Sequence, residues 1–542
     1  MGSSTQRHPF LTLTSDPSRK VDAPMTRASR VPQPTLDLSR RSLFGAVLGI
    51  GALATLQACG GDTEGSSGGD GGGTVKWAWQ MPTTWDPVTS SAGSDVQMLA
   101  LTYSALTFID NQGNAQPNLV ESWEYAKDGT SVSFTLKEGL VFSDGSPIDA
   151  EAVKKSLERG RDADNSLIAA QLADLTDVTA DDDLTFTLEL AGPNYQYPNL
   201  LAGKTGMVVN PAAFESDPDS LATQPAGSGP FVLDSYVQNS KAVLHKNEKY
   251  FEADGITITN FELYPAADAA TVVASLQSGQ YNVGLLPGSQ LEAAKAAGLE
   301  VQVMPSLYVS TLDVNKTMKP FDDPKVVEAL HFAVDRQALV DTGEFGLGEV
   351  AYQPFPDGYV GYNPELDGIY AYDPDKAAGI LKEAGYTKPI PLTISTSNPE
   401  GVPELLQAQL SNVGFEPTIE TIPQAQFTQQ VYINHEKALA VDFFAGRESP
   451  AQAFQVLFSD TGLMNPGREY DPAVKESIEQ VIATPLDDPA YAERLQEATK
   501  VAVTSMPNTF LYSRPRVVAR AKAVSELPEH LALVTWEGVT VS

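Results

Sequence analysis

The spacing of apolar residues along the chain predicts a mixed α/β protein. In the stretch SVSFTL, Val132, Phe134 and Leu136 alternate with polar residues, which is the period of a strand with one buried face. A strand is also predicted from Val75, in the stretch TVKWAWQ, and strand-like and helix-like segments alternate through the rest of the chain.

Four predicted helices share one start pattern, an aspartate followed by proline. The aspartate side chain can accept hydrogen bonds from the first free N–H groups of a helix, and proline fits the first helical position. The pairs are Asp323-Pro324, Asp373-Pro374, Asp471-Pro472 and Asp488-Pro489. In the first helix Val326, Leu330 and Val334 are four residues apart and predict one buried stripe. Gly385 is expected just beyond the end of the second helix.

An apolar run near the start of the chain predicts an export signal. Arg40 and Arg41 precede mostly apolar residues from Leu43 to Leu56, a charged segment followed by a hydrophobic one, as in a signal peptide. The run is shorter than the roughly 20 residues that a membrane-spanning helix needs. The paired arginines resemble a twin-arginine export motif, although an ordinary secretory signal also carries such a pair.

Cys59 is the only cysteine of the 542 residues, so no disulfide can form within one chain. It ends the stretch LQAC, which resembles the lipobox of bacterial lipoproteins and implies that the thiol carries lipid and that the chain is cut before it. A buried free cysteine fits poorly with the flanking glycines and serines. We therefore expect a signal peptide over 1–58, starting at Met1 or Met25, and a flexible, lipid-anchored tether over 59–73.

The charge of the chain narrows the classes of partner. A formal net charge of −33 argues against binding nucleic acid or an anionic lipid surface by charge, and it fits the solvated surface of an exported protein. The residues after the tether suffice for two or three domains. None of their segments is long and apolar enough to span a bilayer.

Several stretches of the chain together resemble one known family. They are QPNLVESWEYAKDGTSVSFTLKEGLVFSDGSPIDAEAVKKSLER, PAGSGPFVLDSY, KNEKYF, VASLQSGQYNVG, LDVNKTMKPFDDPKVVEALHFAVDRQALV, YDPDKAAGILKEAGY and LQAQLSNVGFEP. The family that they resemble is the family 5 extracellular solute-binding proteins, which serve ABC importers of peptides, opines and nickel. The resemblance extends from Val75 nearly to the C-terminus.

The resemblance implies the α/β fold of periplasmic binding proteins, with two hinged lobes and an extra subdomain in the first. Carried over, lobe I covers 74–305 and 508–542, and lobe II covers 306–507. A small-molecule ligand would bind in the cleft, and the ABC permease would read its closure. The resemblance also implies a monomer anchored on the extracytoplasmic face, with no enzymatic activity and no cofactor.

The resemblance also suggests where the ligand binds. In peptide-binding members a cleft aspartate pairs with the α-amine of the ligand, and the position aligned with it here is Gly446, followed by Arg447. A guanidinium suits a carboxylate or phosphate, so Arg447 is a candidate anchor for an anionic group. The alternative is a structural arginine paired with Glu448 or Glu400. The expected cleft wall consists of Gln80, Met81, Trp85 and Phe444.

Other functions find less support in the sequence. A lipid-anchored hydrolase would need an assembled nucleophile and base, yet the G-x-S-x-G pattern at Gly65 lies in the tether, without the strand and helix it requires. The five histidines show no ligand spacing, so no metal site is expected. A receptor or chaperone-like module on the same fold stays open. Ligand identity is open among a peptide, an opine, a chelated metal and another anionic metabolite.

Overall fold

The computed structural model describes residues 73–542 except Ala267, Pro399, Glu400 and Glu448. All described residues belong to one compact unit. The predicted signal peptide with Arg40 and Arg41, the lipidation site Cys59, and the tether up to residue 72 lie outside the described residues. The two acidic residues considered as partners of Arg447 lie outside them as well.

The strands are given in chain order. They are β1 Thr74–Trp79, β2 Thr107–Ile109, β3 Ala115–Pro117, β4 Val120–Tyr125, β5 Ser131–Leu136, β6 Leu175–Ala180, β7 Thr185–Leu190, β8 Phe231–Val237, β9 Lys241–Lys246, β10 Asn260–Pro265, β11 Val283–Leu286, β12 Glu300–Met304, β13 Val309–Val314, β14 Glu349–Val350, β15 Ile390–Thr396, β16 Phe415–Thr421, β17 Leu439–Phe444, β18 Thr509–Ser513 and β19 Arg516–Arg520.

The α-helices lie between these strands and cover their faces. They are α1 Val96–Leu99, α2 Ala150–Asp162, α3 Tyr197–Leu200, α4 Pro211–Ser216, α5 Ala269–Gln277, α6 Leu291–Ala296, α7 Pro324–Ala333, α8 Arg336–Gly343, α9 Pro374–Glu383, α10 Val402–Val413, α11 Gln424–Thr428, α12 Pro450–Phe458, α13 Pro472–Ile482 and α14 Tyr491–Ser505. Over the described part of the chain, no helix combines the length and apolar character that crossing a membrane requires.

Two large sheets define two lobes. The first lobe is built on a seven-stranded sheet in the order β12-β19-β11-β1-β10-β9-β8, and the second on a six-stranded sheet in the order β14-β18-β13-β17-β15-β16. A four-stranded antiparallel sheet, β4-β5-β7-β6, forms with α2 the subdomain within the first lobe. The α/β two-lobe fold expected from the sequence is therefore confirmed.

Most of the local predictions are confirmed. Val132, Phe134 and Leu136 are buried along β5. Three of the predicted caps accept a backbone N–H, as Asp323 does from Lys325 N at 2.9 Å. The predicted start of the fourth helix is wrong. Asp488 accepts a hydrogen bond from Ala490 N, but the helix begins only at Tyr491.

Two chain crossings connect the lobes. The first leads through 305–308 from β12 to β13, and the second through 514–515 from β18 to β19. The boundary expected at 507–508 falls before β18, which pairs with β13 in the second sheet. An apolar run shows that a strand forms, but it does not show which of the two sheets the strand joins. The second crossing therefore lies a few residues after the boundary expected at 507–508.

The two crossings are hydrogen-bonded to each other. The backbone N–H of Arg514 donates to Tyr308 O at 2.8 Å, and Ser306 Oγ donates to Arg514 O at 2.6 Å. The guanidinium of Arg516 donates to the backbone carbonyls of residues 530–533. The hinge thus consists of two hydrogen-bonded chain segments, and Arg516, just after the second segment, links it to the C-terminal segment of the first lobe.

Two acidic side chains, the buried Asp313 and the half-buried Asp442, form an acid pair between β13 and β17 of the second lobe. Tyr432 Oη lies 2.5 Å from Asp313 Oδ2 and 2.8 Å from Asp442 Oδ2. A phenol has one proton, so it can donate to one carboxyl only and must accept from the other, which then carries a proton. Burial, followed by the nearby Asp442 charge, raises the pKa of Asp313 to about 7. The folded protein therefore holds a proton that the unfolded chain releases near pH 4.

This proton predicts a pH dependence of stability. Because the folded pKa of Asp313 lies above the unfolded value, the contribution of the acid pair is largest below about pH 4 and declines as pH rises toward 7, by up to about 1.4 kcal/mol per pH unit. Asp313→Asn should remove this decline, so the free energy of unfolding of the variant relative to the wild type should rise between pH 5 and pH 7. Denaturant titrations across that range measure the difference. Asp460→Asn, at an exposed position, is the control, and parallel pH profiles for the wild type and Asp313→Asn would contradict the assignment.

Candidate functional site

A cavity of about 380 Å³ lies between the two lobes. The first lobe contributes residues from Ser90 to Gln97, with Gln171, Lys204 and Ala532 among the others. The second lobe contributes the first crossing, the loop 445–447 after β17, and residues of α12 and the loop that follows it. A molecule in this cavity would contact both lobes, and that is the geometry that couples binding to closure.

The charged lining residues of the cavity are two cations, Lys204 from the first lobe and Arg447 from the second; no acidic side chain is among its described lining residues. Lys204 Nζ donates to Ser90 O at 2.9 Å and to Ala92 O at 3.2 Å. Although the chain has a net charge of −33, these two cations favour an anionic group in the cavity.

The Arg447 side chain is placed by its own loop. Its guanidinium lies over the Phe444 ring, 5.3 Å from the centroid, and Nη1 donates to Gly446 O. Nη1 is also 3.7 Å from the point that a Cβ on Gly93 would occupy, so the side chain reaches the first lobe. The ring beneath the guanidinium restricts its orientation by a cation–π contact.

Gly446 could not be replaced by an acidic residue in this conformation. Its φ is +78°, in the left-handed region that favours glycine, and a Cβ there would lie 2.3 Å from Leu307 Cβ. Leu307 belongs to the first crossing, so it cannot move without displacing the hinge. The loop after β17 thus presents a guanidinium to the cavity and has no room for a carboxylate at position 446.

The predicted wall residues lie behind the cavity lining. Gln80 Nε2 donates to Ser94 Oγ at 2.6 Å, and it is Ser94 that lines the cavity. Met81 packs on the core of the first lobe. Trp85 is completely buried beside Tyr236, because its loop turns the indole inward. Phe444, also buried, supports Arg447 from below, so Gly446 and Arg447 are the predicted residues that line the cavity.

Sequence reasoning missed the residues that join the lobes at the cavity. Gln452 Nε2 donates to Gln171 Oε1 at 3.0 Å across the cleft. Gln452 Oε1 also accepts a hydrogen bond from Ser449 N, at the start of α12. Gln171 belongs to no motif, and the proximity of the two glutamines arises only when the lobes meet. The S-x-x-Q capping pattern at Ser449 was the one local signal, and it points to a helix start and not to a contact between lobes.

The described residues contain no group of three or more histidine, cysteine, aspartate or glutamate side chains placed to hold a metal ion.

Comparison with known proteins places the chain among binding proteins. Residues 114–465 match the family described as bacterial extracellular solute-binding proteins, family 5 Middle. The glutathione-binding protein GsiB of Escherichia coli (strain K12) is 28% identical over 434 residues, which are 77% of this chain and 84% of that protein.

Solved structures share the fold. Oligopeptide-binding protein AppA from Bacillus subtilis, in complex with a nonapeptide, has 21% identity and a TM-score of 0.74, and covers 87% of this chain and 99% of its own. The binding protein AgaA from A. tumefaciens R10, in complex with agropinic acid, has 21% identity and a TM-score of 0.75 with the same coverage.

The bond between Gln171 and Gln452 predicts a measurable contribution to closure. Gln171→Leu or Gln452→Leu should shift the ligand-free protein toward the open form, and the double variant should shift it less than the sum of the two because both remove the same bond, worth about 0.5–1.5 kcal/mol. Fluorescence energy transfer between one label on each lobe measures the closed fraction. Gln455→Leu, at another lining position, is the control. Strictly additive shifts would show that the two glutamines do not act together.

Proposed function

The chain belongs to the bacterial extracellular solute-binding proteins of family 5, and we propose that it captures a peptide or another small solute with an anionic group and delivers it to the permease of an ABC importer. The observation that carries this proposal is the cavity between two hinged lobes, whose charged lining residues are the cations Lys204 and Arg447. The relation to glutathione-binding GsiB supports a peptide-like ligand. The relatives are binding proteins, and a binding role without chemistry is proposed here as well.

The anionic group follows from the chemistry of the two cations. A carboxylate or phosphate between them would accept charge-assisted hydrogen bonds from a planar fork on one side and an ammonium on the other. Position 446, which aligns with the amine-binding aspartate of the peptide-binding members, holds a glycine packed against Leu307 and so offers no carboxylate to a ligand amine. The acidic end of a ligand would therefore be fixed in the cleft, and its amine, if it has one, would need a different partner.

The place of action proposed is the extracytoplasmic face of the cell membrane. There Cys59 would carry the lipid anchor, the tether would end at Gly73, just before β1, and the binding lobes would act as a monomer. Arg40 and Arg41 would serve export. The tether fits this arrangement because a glycine- and serine-rich segment lets a folded body reach a permease in the same membrane.

The proposed ligand chemistry is tested on Arg447. The small molecule that copurifies with the protein is identified by mass spectrometry and titrated by calorimetry into wild type, Arg447→Ala and Arg447→Lys. Removing the guanidinium should cost about 2 to 5 kcal/mol of binding free energy, mostly because the anionic group is left buried without its partner. Lysine should restore little, because it lacks the fork.

Lys475 is exposed, so Lys475→Ala is the control for a general effect of charge. Uptake of the same molecule by a deletion strain tests the transport role, and it should be lost. Binding by both Arg447 variants within about threefold of wild type would reject Arg447 as the anchor. Uptake that continues unchanged without the protein would reject the transport role.

The lipid anchor has its own test. Cys59→Ala removes the acceptor thiol, so the variant should accumulate as an uncut precursor or leave the membrane fraction. Metabolic labelling with a fatty acid and fractionation of cells measure both effects. Normal processing and membrane retention of Cys59→Ala would contradict lipidation at this residue.

A further inference from the structure

A second cavity, of about 570 Å³, lies where the subdomain of the first lobe meets the second lobe. The subdomain contributes β4 with the turn after it, the β2–β3 hairpin, Tyr195 and Asn199, and the second lobe contributes residues 485–487 and Tyr491. None of its lining residues lines the cleft cavity. It is therefore a separate space that also bridges both lobes.

Direct contacts between the lobes frame this second cavity. Tyr195 N donates to Ile482 O at 2.9 Å, and Tyr491 Oη donates to Gln196 Oε1 at 3.2 Å. Because these bonds hold both sides, the cavity has a defined shape in the closed arrangement. Opening of the lobes at this seam would separate its walls.

The lining residues include aromatic side chains and a buried amide oxygen that lacks a hydrogen-bond partner among the described residues. Trp123, Tyr125, Tyr195 and Tyr491 line the cavity, and the rings of Tyr125 and Tyr195 are 4.6 Å apart. Asn199 is 1% exposed, and its Nδ2 donates to Gly113 O at 3.2 Å. Its Oδ1 has no hydrogen-bond partner among the described residues. A buried acceptor without a donor costs about 1–3 kcal/mol, which a bound N–H donor would recover.

The charges at the edge favour a cationic donor. The carboxylates of Glu124 and Asp487 line the opening, and neither forms an ion pair within the described part of the chain. One cation, Lys127, lines the cavity with them. Aromatic faces attract an organic ammonium group through their electron-rich surfaces, and an ammonium group brings the donor that Asn199 Oδ1 lacks.

We propose that this second cavity, the seam site, binds a small organic ammonium compound with a flat apolar body, such as an arylalkylamine. Because the bound compound would touch both lobes, it would stabilise the closed arrangement and so change the affinity of the cleft for its own ligand. Binding at the seam site does not depend on the proposed function of the cleft. Only the coupling between the two sites does.

The experiment uses two probes with the same ring and opposite charge, phenethylamine and phenylacetate, titrated by calorimetry into the mature protein. Phenethylamine should bind at one site per chain, and phenylacetate at least about tenfold more weakly. Asn199→Leu should weaken phenethylamine by about tenfold or more, because it removes the acceptor. Asp487→Lys should weaken phenethylamine binding by about threefold to tenfold. Because Asp487 is exposed, the substitution does not disturb folding.

Arg447→Ala is the comparison for the cleft, and it should weaken phenethylamine binding less than Asp487→Lys does. No saturable binding of phenethylamine at about 10 mM, equal binding of both probes, or binding unaffected by Asp487→Lys would each overturn the seam site. Weakening by Arg447→Ala that equals or exceeds the weakening by Asp487→Lys would overturn it too, because the amine would then be in the cleft. Loss of phenethylamine binding with intact cleft binding in Asn199→Leu would separate this site from the proposed function.

Discussion

The hydrogen-bonded pair of chain crossings is the constraint on which the rest of the structure depends. Arg514 N and Tyr308 O join the crossings, so a rotation of the lobes about this pair would keep the bond, whereas a slide of one crossing past the other would break it. The same segment forms part of the binding site, since Leu307 and Tyr308 line the cleft cavity. Leu307 also fills the space beside Gly446. The hinge, the floor of the cavity and the loop that carries Arg447 therefore pack against one another. A displacement of one of them would shift the other two.

The protein has a negative net charge, whereas the charged side chains among the described lining residues of the cleft cavity are cations. The distance between a ligand and each group of charges decides which of the two dominates. Surface carboxylates more than about 10 Å away are largely screened by salt, whereas Lys204 and Arg447 would act at contact distance and in a site from which closure removes water. The proposed anionic group would thus be repelled weakly from afar and attracted strongly at contact distance. A net charge of −33 excludes neither an anionic ligand nor a basic cleft.

Local chemistry made much of the fold predictable, and long-range packing limited the rest. The alternation in β5 and the caps before α7, α9 and α13 depend on neighbours in sequence, and they are where the pattern places them. The sheet that receives β18 is decided by its pairing with β13, nearly two hundred residues earlier. Lys204 and Gln452 carry no local sign of their role, because the cavity exists only where the lobes meet. Trp85, in contrast, is expected in the cavity wall because it is an aromatic residue in a loop, yet its side chain is buried in the core.

The register of β13 against β17 ties the core of the second lobe to the cleft. Val309 opposes Phe444 at the end of this antiparallel pair, so the first crossing and the loop with Arg447 leave the sheet side by side. A slip of one residue would move that loop by about 3.3 Å and turn every side chain of the strand to the other face. The bonds from Tyr432 to Asp313 and Asp442 bridge the same two strands, and a slip would leave a buried carboxyl without its partner. A polar network that costs stability at neutral pH thereby holds the strand pair in the register that places Arg447 beside the hinge.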